Sequence, residues 1–156
     1  MKINFLITFT ILVVTTAFSQ ENFSNTFEMK KLEKEILAVV NDWNKSFLQN
    51  DPERYFGFIH EDITLFVTSS PYRIDGKMDD REEFEWSLSK GKTRVSLFQE
   101  LQPKVQILSD NSAVVSYYNR GAYGPEGQEH MIYLKETNVM VKEDNGWKII
   151  HIHVSK

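Results

Sequence analysis

The chain has no cysteine among its 156 residues. This absence excludes disulfide bridges, thiol nucleophiles and zinc sites built from thiolates. A core of apolar side chains must therefore hold the folded protein together. Hydrophobic residues make up 41% of the chain and aromatic residues 13%, which is typical of one packed globular domain and not of a disordered segment.

Basic residues are outnumbered by acidic ones. The chain has 18 lysines and arginines against 22 aspartates and glutamates, so its net charge is −4. Nucleic-acid binding domains and segments that dock on anionic membranes usually carry an excess of basic residues. We therefore expect neither nucleic acid nor a membrane surface as a partner.

Apolar runs are also short, and none reaches the roughly 20 residues that span a bilayer. The run Ile3 to Val14 instead lies between a basic start and the small-residue pattern Ala17-Phe18-Ser19, as in a secretory signal peptide. The sequence predicts a signal peptide over 1–19, a flexible lead-in over 20–27 and one domain over 28–156. After cleavage the protein is expected outside the cytoplasm, periplasmic or secreted, and free of the membrane.

Three helices are predicted in the first half of the domain. Apolar residues recur at helical spacing over 25–49. Asp51 and Pro52 supply a capping side chain and a first-turn proline, which predicts a short helix over 51–59. Acidic residues then start a third helix over 79–91, because negative charge is favourable at a helix N-terminus.

The remainder of the chain is predicted to form strands, because β-branched and aromatic residues dominate it and turn residues divide it. A strand at 63–67 and a short extended piece at 73–76 precede the third helix. The later strands cover 93–108, with a bend at Pro103, then 113–123, 130–142 and 147–155. Helices followed by an antiparallel meander predict an α+β fold, in which a curved sheet wraps the helices and holds a pocket on its concave side.

The last strand carries the clearest pattern. Asn145-Gly146 between apolar runs is a strong signal for a tight β-hairpin turn. Strict alternation then predicts two faces, one with Trp147, Ile149, His151 and His153 and the other with Lys148, Ile150, Ile152 and Val154. The second face is almost wholly apolar, so we expect it to cover the core or to line a cavity.

Three groups of residues form a further pattern: Asn50-Asp51 with Tyr55; Leu101 and Pro103 followed by Asp110, Ser112 and Ala113; and Glu136-Thr137 followed by Gly146-Trp147, His151, His153 and Ser155. In these groups and in the order of its elements, the chain resembles the nuclear transport factor 2-like superfamily. Within it the chain is similar to SnoaL-like proteins and to the association domain of calmodulin-dependent kinase II. The resemblance covers nearly the whole predicted mature domain. It implies a cone-shaped α+β barrel but no particular activity, because this fold hosts unrelated functions.

The resemblance also indicates which family sites are missing. Association domains line a cavity with arginines, and the matching positions here are Asn119, Asn138 and Val154, which disfavours a carboxylate ligand held by arginines. Ketosteroid isomerases of this fold use an aspartate as general base, and Ser70 stands at the matching position. Their two hydrogen-bond donors match Trp43 and Asn138, whose side chains can still donate. This combination fits binding a carbonyl-bearing molecule better than isomerising one.

Five residues are the candidates for ligand contact: Asn138, Trp43, Tyr55, Asn119 and Tyr117. Asn138 is the strongest candidate, because an amide between apolar positions needs a partner when it is buried, and a ligand can supply one. The alternative for Asn138 is pairing with another buried side chain. The alternative for the other four is ordinary packing or surface exposure, and Trp43 lies on the apolar stripe of the first helix.

Other polar residues carry weaker signals. His151 and His153 are spaced like a metal-binding pair but lack a third ligand at a diagnostic spacing, so we expect a subunit contact there and no metal site. The acidic run that begins with Asp79-Asp80 is explained by a solvated helix N-terminus. Asp62 and Asp75 are the first suspects for an acid or base if the protein is an enzyme.

Three functions remain open at this level. The first is an exported homodimer or larger homo-oligomer that binds a small, mostly apolar molecule in the cone cavity, without catalysis and without a cofactor. The second is a SnoaL-like isomerase, cyclase or hydratase whose acid or base is not identified. The third is a structural oligomerisation module that uses the outer face of its sheet. A buried carboxylate in the cavity with a shifted pKa would favour the second function over the first.

Overall fold

The computed structural model of this protein describes residues 27–89 and 95–156. Contacts divide the chain into two units, Met1–Glu35 and Ile36–Lys156. The described part of the first unit, 27–35, is helical, and the sheet and the cavity below belong to the second unit. The predicted signal peptide, the predicted lead-in before residue 27 and the predicted element boundaries at residues 25, 91 and 93 lie outside the described residues.

Over residues 27–89 and 95–156, three helices lie close to their predicted positions. The first, α1, covers residues 27–48, the second, α2, covers Pro52–Gly57, and the third, α3, covers Lys77–Ser89. Asp51 caps α2 as predicted, because its side chain accepts a hydrogen bond of 3.0 Å from the backbone N–H of Arg54. None of the helices within the described ranges is both long enough and apolar enough to cross a membrane.

In the described part of the chain, six strands form one sheet. Their bounds are β1 Ile59–Phe66, β2 Ile74–Asp75, β3 Val95–Ser109, β4 Ser112–Tyr123, β5 His130–Glu143 and β6 Gly146–Ser155. The order across the sheet is β2-β1-β6-β5-β4-β3, so the last strand pairs with the first long strand near the middle of the sheet. The pairing of β1 with β6 is parallel and the other four are antiparallel. The predicted α+β class is confirmed.

The predicted hairpin between β5 and β6 is also confirmed. Glu143 pairs with Gly146, which leaves Asp144 and Asn145 as a two-residue turn. Gly146 has a φ of 116°, a conformation that residues with a Cβ rarely adopt. The glycine of the Asn-Gly signal is therefore needed at the start of the strand.

The predicted faces of β6 are wrong beyond Ile149. Met140 pairs with Ile149 but the preceding Val139 pairs with His151, so Ile150 is an extra residue in a β-bulge. The bulge exchanges the two faces of the strand after that point. Trp147 and Ile149 therefore share the buried face with Ile152 and Val154, whereas His151 and His153 lie on the opposite face.

A second irregularity bends β3. The register of β3 against β4 shifts between Leu101 and Lys104, where Gln102 has a left-handed φ of 54° immediately before Pro103. This confirms the bend predicted at Pro103. A bulge of this kind increases the local twist of a strand and lets the sheet curve.

The core of the second unit lies between the helices and one face of the sheet, which we call the cavity face. Ile36 and Val40 of α1 are fully buried, as are Val115, Met140 and Ile149 of the sheet. Each such aliphatic side chain contributes about 1.5–3 kcal/mol through burial. The rings of Phe47 on α1 and Phe98 on β3 meet edge to face at 6.1 Å.

Candidate functional site

A cavity of about 400 Å³ lies between the three helices and the cavity face of the sheet. This volume is within the range of small-molecule sites in proteins. The described residues contribute six aromatic side chains to its wall: Trp43, Phe47, Tyr55, Phe84, Phe98 and Tyr123. The acidic side chains of Asp80, Glu83 and Glu136 also line the cavity.

The aromatic wall is built from spacings on the helices. Tyr55 of α2 and Phe84 of α3 stack with ring centroids 5.0 Å apart, and Trp43 of α1 lies 5.4 Å from Tyr55. Phe47 follows Trp43 by four residues, so both rings lie on one side of α1, and Phe47 is 5.9 Å from Tyr55. The three helices thus place their rings around one end of the cavity.

A buried carboxylate on β5 is the centre of the polar part of the cavity. Tyr117 donates its hydroxyl proton to Oε1 of Glu136 over 2.5 Å. The side-chain amide of Asn138 donates to the same oxygen over 3.3 Å, and that of Asn119 donates to Oε2 over 3.5 Å. Burial raises the pKa of Glu136, and these three donors oppose the rise.

The hydrogen bonds continue beyond Glu136 on both sides. Asn44 of α1 donates to the Tyr117 hydroxyl over 3.1 Å and to Oε1 of Glu100 over 2.8 Å. Tyr123 donates to Oδ1 of Asn119 over 3.0 Å. Burial raises the pKa of Tyr123 to about 12 and that of Tyr117 well above its usual value, so both phenols stay protonated as donors. We call Asn44, Tyr117, Asn119, Tyr123, Glu136 and Asn138 the Glu136 cluster.

Asp80 is the second buried carboxylate of the cavity. Its side chain on α3 is only 6% exposed, and its Oδ2 atom has no hydrogen-bond partner among the described residues. Burial, followed by repulsion from Glu83, raises the pKa of Asp80 to about 7. The expectation that the whole acidic run is solvated is therefore wrong for Asp80. Asp80 and Phe84 are the buried residues of α3, and their spacing of four residues places them on the same side of the helix.

Trp43 contributes an unpaired donor to the same wall. The residue is 4% exposed, and its indole Nε1 is buried without a hydrogen-bond partner within the described ranges. Burial raises the pKa of Tyr55, and the nearby indole N–H of Trp43 opposes this rise. The geometry between the indole N–H and the Tyr55 hydroxyl is nevertheless not that of a hydrogen bond. A buried donor left unpaired costs free energy, which a suitable acceptor would recover.

The five predicted ligand contacts fall into two groups. Trp43, Tyr55 and Asn119 line the cavity, whereas Tyr117 and Asn138 are buried behind it in the Glu136 cluster. Asn138 thus follows the alternative interpretation, because its amide donates to the Glu136 carboxylate and, over 3.4 Å, to the Tyr117 hydroxyl. Its Oδ1 atom is buried without a partner in the described structure.

The sequence interpretation missed Asp80 and Glu136 as site residues. A signal for Glu136 was present, since it alternates with Leu134 and Asn138 along one buried face of β5. The two acids named first lie elsewhere. Asp62 is exposed, and Asp75 is exposed and pairs with Arg73 over 2.6 Å, so neither lines the cavity.

The remaining candidates lie outside the cavity. Ser70, at the position of the isomerase base, bonds to the Tyr72 carbonyl and does not line the wall. His151 lies on the sheet face opposite the cavity, with its Nδ1 atom 2.8 Å from the Thr64 hydroxyl. Burial, and then the proximity of His153, lowers the pKa of His151. Across the described ranges, histidines and acidic residues form no group of three or more that could hold a metal ion.

Comparison with known proteins identifies a matching family model and solved structures with a similar architecture. The family model of the calcium/calmodulin dependent protein kinase II association domain matches residues 32–156. The association domain of C. elegans CaMKII is 23% identical, with 81% of this chain and 97% of that chain covered and a TM-score of 0.68. The CamKII hub homology domain of Chlamydomonas reinhardtii is 25% identical, with coverage of 80% and 97% and a TM-score of 0.67.

An NTF2-like protein of unknown function from Pseudomonas putida KT2440 is 20% identical, with 81% of this chain and 87% of that chain covered and a TM-score of 0.71. Among functionally curated proteins, none matches the chain in sequence. The solved structures therefore show a nuclear transport factor 2-like fold, and the chemistry of the cavity has to be argued from its own residues.

Proposed function

The chain belongs to the calcium/calmodulin dependent protein kinase II association domain family, and we propose that its function is to bind a small, mostly apolar molecule in the cavity. One observation carries this proposal. The cavity of about 400 Å³ is walled mainly by aromatic and aliphatic side chains. Two of its wall residues, Trp43 and Asp80, each have a buried polar atom with no hydrogen-bond partner among the described residues. An apolar cavity with few polar groups is typical of a ligand site.

The polar groups around the cavity have different roles in this proposal. The side chains of the Glu136 cluster satisfy most of one another's hydrogen bonds, so they form a rigid polar part of the cavity wall. Trp43 has an indole N–H that is still available to a carbonyl, hydroxyl or ether oxygen. The bulk of the binding free energy comes from covering the apolar body of the ligand with the aromatic wall.

Native mass spectrometry of the protein purified from its own host tests the proposal directly. We expect a retained molecule that adds mass to the folded protein. A spectrum of the same sample under denaturing conditions reports the mass of one subunit, which tests our further proposal that residues 1–19 are removed on export. An empty cavity under conditions that preserve the fold counts against ligand binding as the main function.

A pair of matched variants locates the bound molecule. Trp43→Phe keeps an aromatic ring but removes the N–H, and we expect a three- to tenfold loss of affinity, about the value of one hydrogen bond. Trp86→Phe is the control, because Trp86 is 49% exposed and does not line the cavity. Equal occupancy in both variants would place the molecule elsewhere.

A second candidate function is proton-transfer catalysis by an isomerase, cyclase or hydratase. Asp80 favours it, because a buried carboxylate with a pKa of about 7 in a cavity can act as acid or base near neutral pH. The test uses the molecule recovered by native mass spectrometry, incubated with the protein in heavy water. Catalysis predicts deuterium uptake or conversion with the wild type and a loss of both in Asp80→Asn, whereas an unchanged molecule excludes this function.

A third candidate is self-association, and it is compatible with either of the others. The support is the likeness to a hub homology domain and the apolar side chains on the sheet face opposite the cavity, which we call the outer face. Tyr118 and Tyr133 are exposed on this face, as is Phe66 beside the rings of His151 and His153. We propose that the protein forms a homodimer or a larger homo-oligomer through the outer face.

A further inference from the structure

We propose that the polar end of the ligand is a protonated amine, which binds against the carboxylate of Asp80. This inference rests on the proposed binding function, since it names the chemical class of the molecule that the cavity takes. An amine site differs from a site for a carboxylate, and no arginine is among the described residues that line the cavity.

The charges on the wall favour a cation. Asp80, Glu83 and Glu136 line the cavity, and among the described residues only Lys156 brings a positive charge to it. Both oxygens of Glu136 already accept hydrogen bonds from neighbouring side chains. Within the described part of the chain, Asp80 is the buried acid with an unpaired oxygen, so it is the carboxylate that a ligand can still satisfy.

The arrangement of α3 adds to this preference. Asp80 and Glu83 lie one turn apart on the helix, and their repulsion contributes to the raised pKa of Asp80. A positive charge beside them would attract both carboxylates and offset this repulsion. A neutral hydroxyl group would relieve it only through a hydrogen bond, and a carboxylate would increase it.

The aromatic wall supplies the second half of an amine site. Phe84 lies four residues after Asp80 on α3 and stacks on Tyr55, which feels the charge of Asp80. The ring of Trp43 lies 5.4 Å from that of Tyr55. Ammonium groups are attracted to the faces of such rings, and the attraction is stronger where water is excluded. Carboxylate and rings together would hold an amine that carries an apolar body.

Three probes with one apolar body separate the alternatives: naphthylmethylamine, naphthylmethanol and naphthoate of the same ring isomer. Each is titrated into the full chain at mildly alkaline pH, where Asp80 is ionised, and binding is followed by NMR through the indole N–H signal of Trp43. We expect the amine to bind at least about tenfold more tightly than the alcohol, equivalent to about 1.4 kcal/mol, and the carboxylate to bind most weakly.

Matched variants assign the preference to one side chain. Asp80→Asn has the same shape without the charge, and we expect it to abolish the difference between amine and alcohol. Asp79→Asn is the control, because Asp79 is the exposed neighbour on the same helix and should leave the difference intact. If Asp80→Asn does not fold, the ranking of the three probes on the wild type still decides.

The outcomes separate this inference from the function on which it rests. Binding of the alcohol or the carboxylate as tightly as the amine overturns the amine inference but leaves a cavity that binds apolar molecules. Persistence of the amine preference in Asp80→Asn also overturns it, because the charge would then lie elsewhere. If none of the three probes shifts the Trp43 signal, the proposed function fails and the amine inference fails with it.

Discussion

At the scale of single residues, burial changes the chemistry of the Asp80 carboxylate. Its carboxylate sits on the buried side of α3 beside Phe84, where water is largely excluded. Burial therefore disfavours the charged form, and the pKa of Asp80 rises from 3.8 to about 7. A carboxylic acid near its midpoint at neutral pH can bind a cation, accept a proton or release one, and all three depend on keeping water out.

The burial of Asp80 should make the free energy of unfolding depend on pH. Because the pKa of Asp80 is higher in the folded than in the unfolded chain, the folded state binds this proton more tightly. Raising the pH from about 4 to about 8 removes the proton and therefore lowers the stability of the wild type. The variant Asp80→Asn has no ionisable group at this position. We expect the stability of Asp80→Asn relative to the wild type to increase by roughly 2–4 kcal/mol between about pH 4 and about pH 8.

Chemical denaturation at a series of pH values measures this difference. Glu83 on α3, Tyr55 on α2 and Glu136 on β5 also face the site, but they are present in both proteins, so their direct contributions cancel. Parallel curves for Asp80→Asn and the wild type would mean that Asp80 ionises as an exposed aspartate does.

At the scale of elements, two bulges decide how the sheet presents its side chains. The extra residue Ile150 exchanges the faces of β6, which turns His151 to the outer face and Ile152 to the cavity. The irregularity at Gln102 bends β3 where it passes from Leu101 to Lys104. Both bulges cost ladder hydrogen bonds locally, and both determine which residues can reach the cavity.

The bend at Gln102 predicts a stabilising substitution. A non-glycine residue in the left-handed region is strained by about 1–2 kcal/mol, and the following Pro103 restricts it further. Gln102→Gly should remove the strain and, after the entropic penalty of glycine, stabilise the protein by about 0.5–1 kcal/mol. Gln106→Gly, in an extended and exposed part of β3, should instead destabilise by about 1 kcal/mol. Urea denaturation compares the two, and a loss of stability in Gln102→Gly would contradict the strain.

At the scale of the whole molecule, the two faces of the sheet have different chemistry. The cavity face brings together buried acids and amides, and the outer face exposes tyrosines, Phe66 and two histidines. Burial lowers the pKa of His151, so this residue is neutral at neutral pH and compatible with an apolar contact. A self-association surface on the outer face would leave the cavity accessible in each subunit.

Charging the outer face should disrupt the proposed assembly. In a variant with both His151→Glu and His153→Glu, two new negative charges lie beside Phe66, and we expect the sedimentation coefficient to fall to that of a smaller species. His130→Glu makes the same change at an exposed residue at the start of β5 and should leave the assembly intact. An unchanged mass in solution for the double variant would place the interface elsewhere.

Much of the fold can be predicted from the sequence, because its determinants are local. The cap of Asp51 on α2, the helical spacing that includes Trp43 and Phe47, and the turn at Asp144-Asn145 each depend on residues within four positions of one another. Helices before an antiparallel meander then leave an α+β architecture with one buried sheet face.

The chemistry of the cavity was decided only by tertiary structure. Glu136 obtains its strongest donor from Tyr117 because β4 and β5 pair in one particular register, and a shift of one residue would turn its side chain to the outer face. Asp80 became a site residue because α3 docks with that side inward, although the same acidic run is compatible with a solvated helix. The sequence by itself determined the elements, since they follow from neighbouring residues. Which acids are buried depends on contacts between residues far apart in the chain, and no local pattern specifies those.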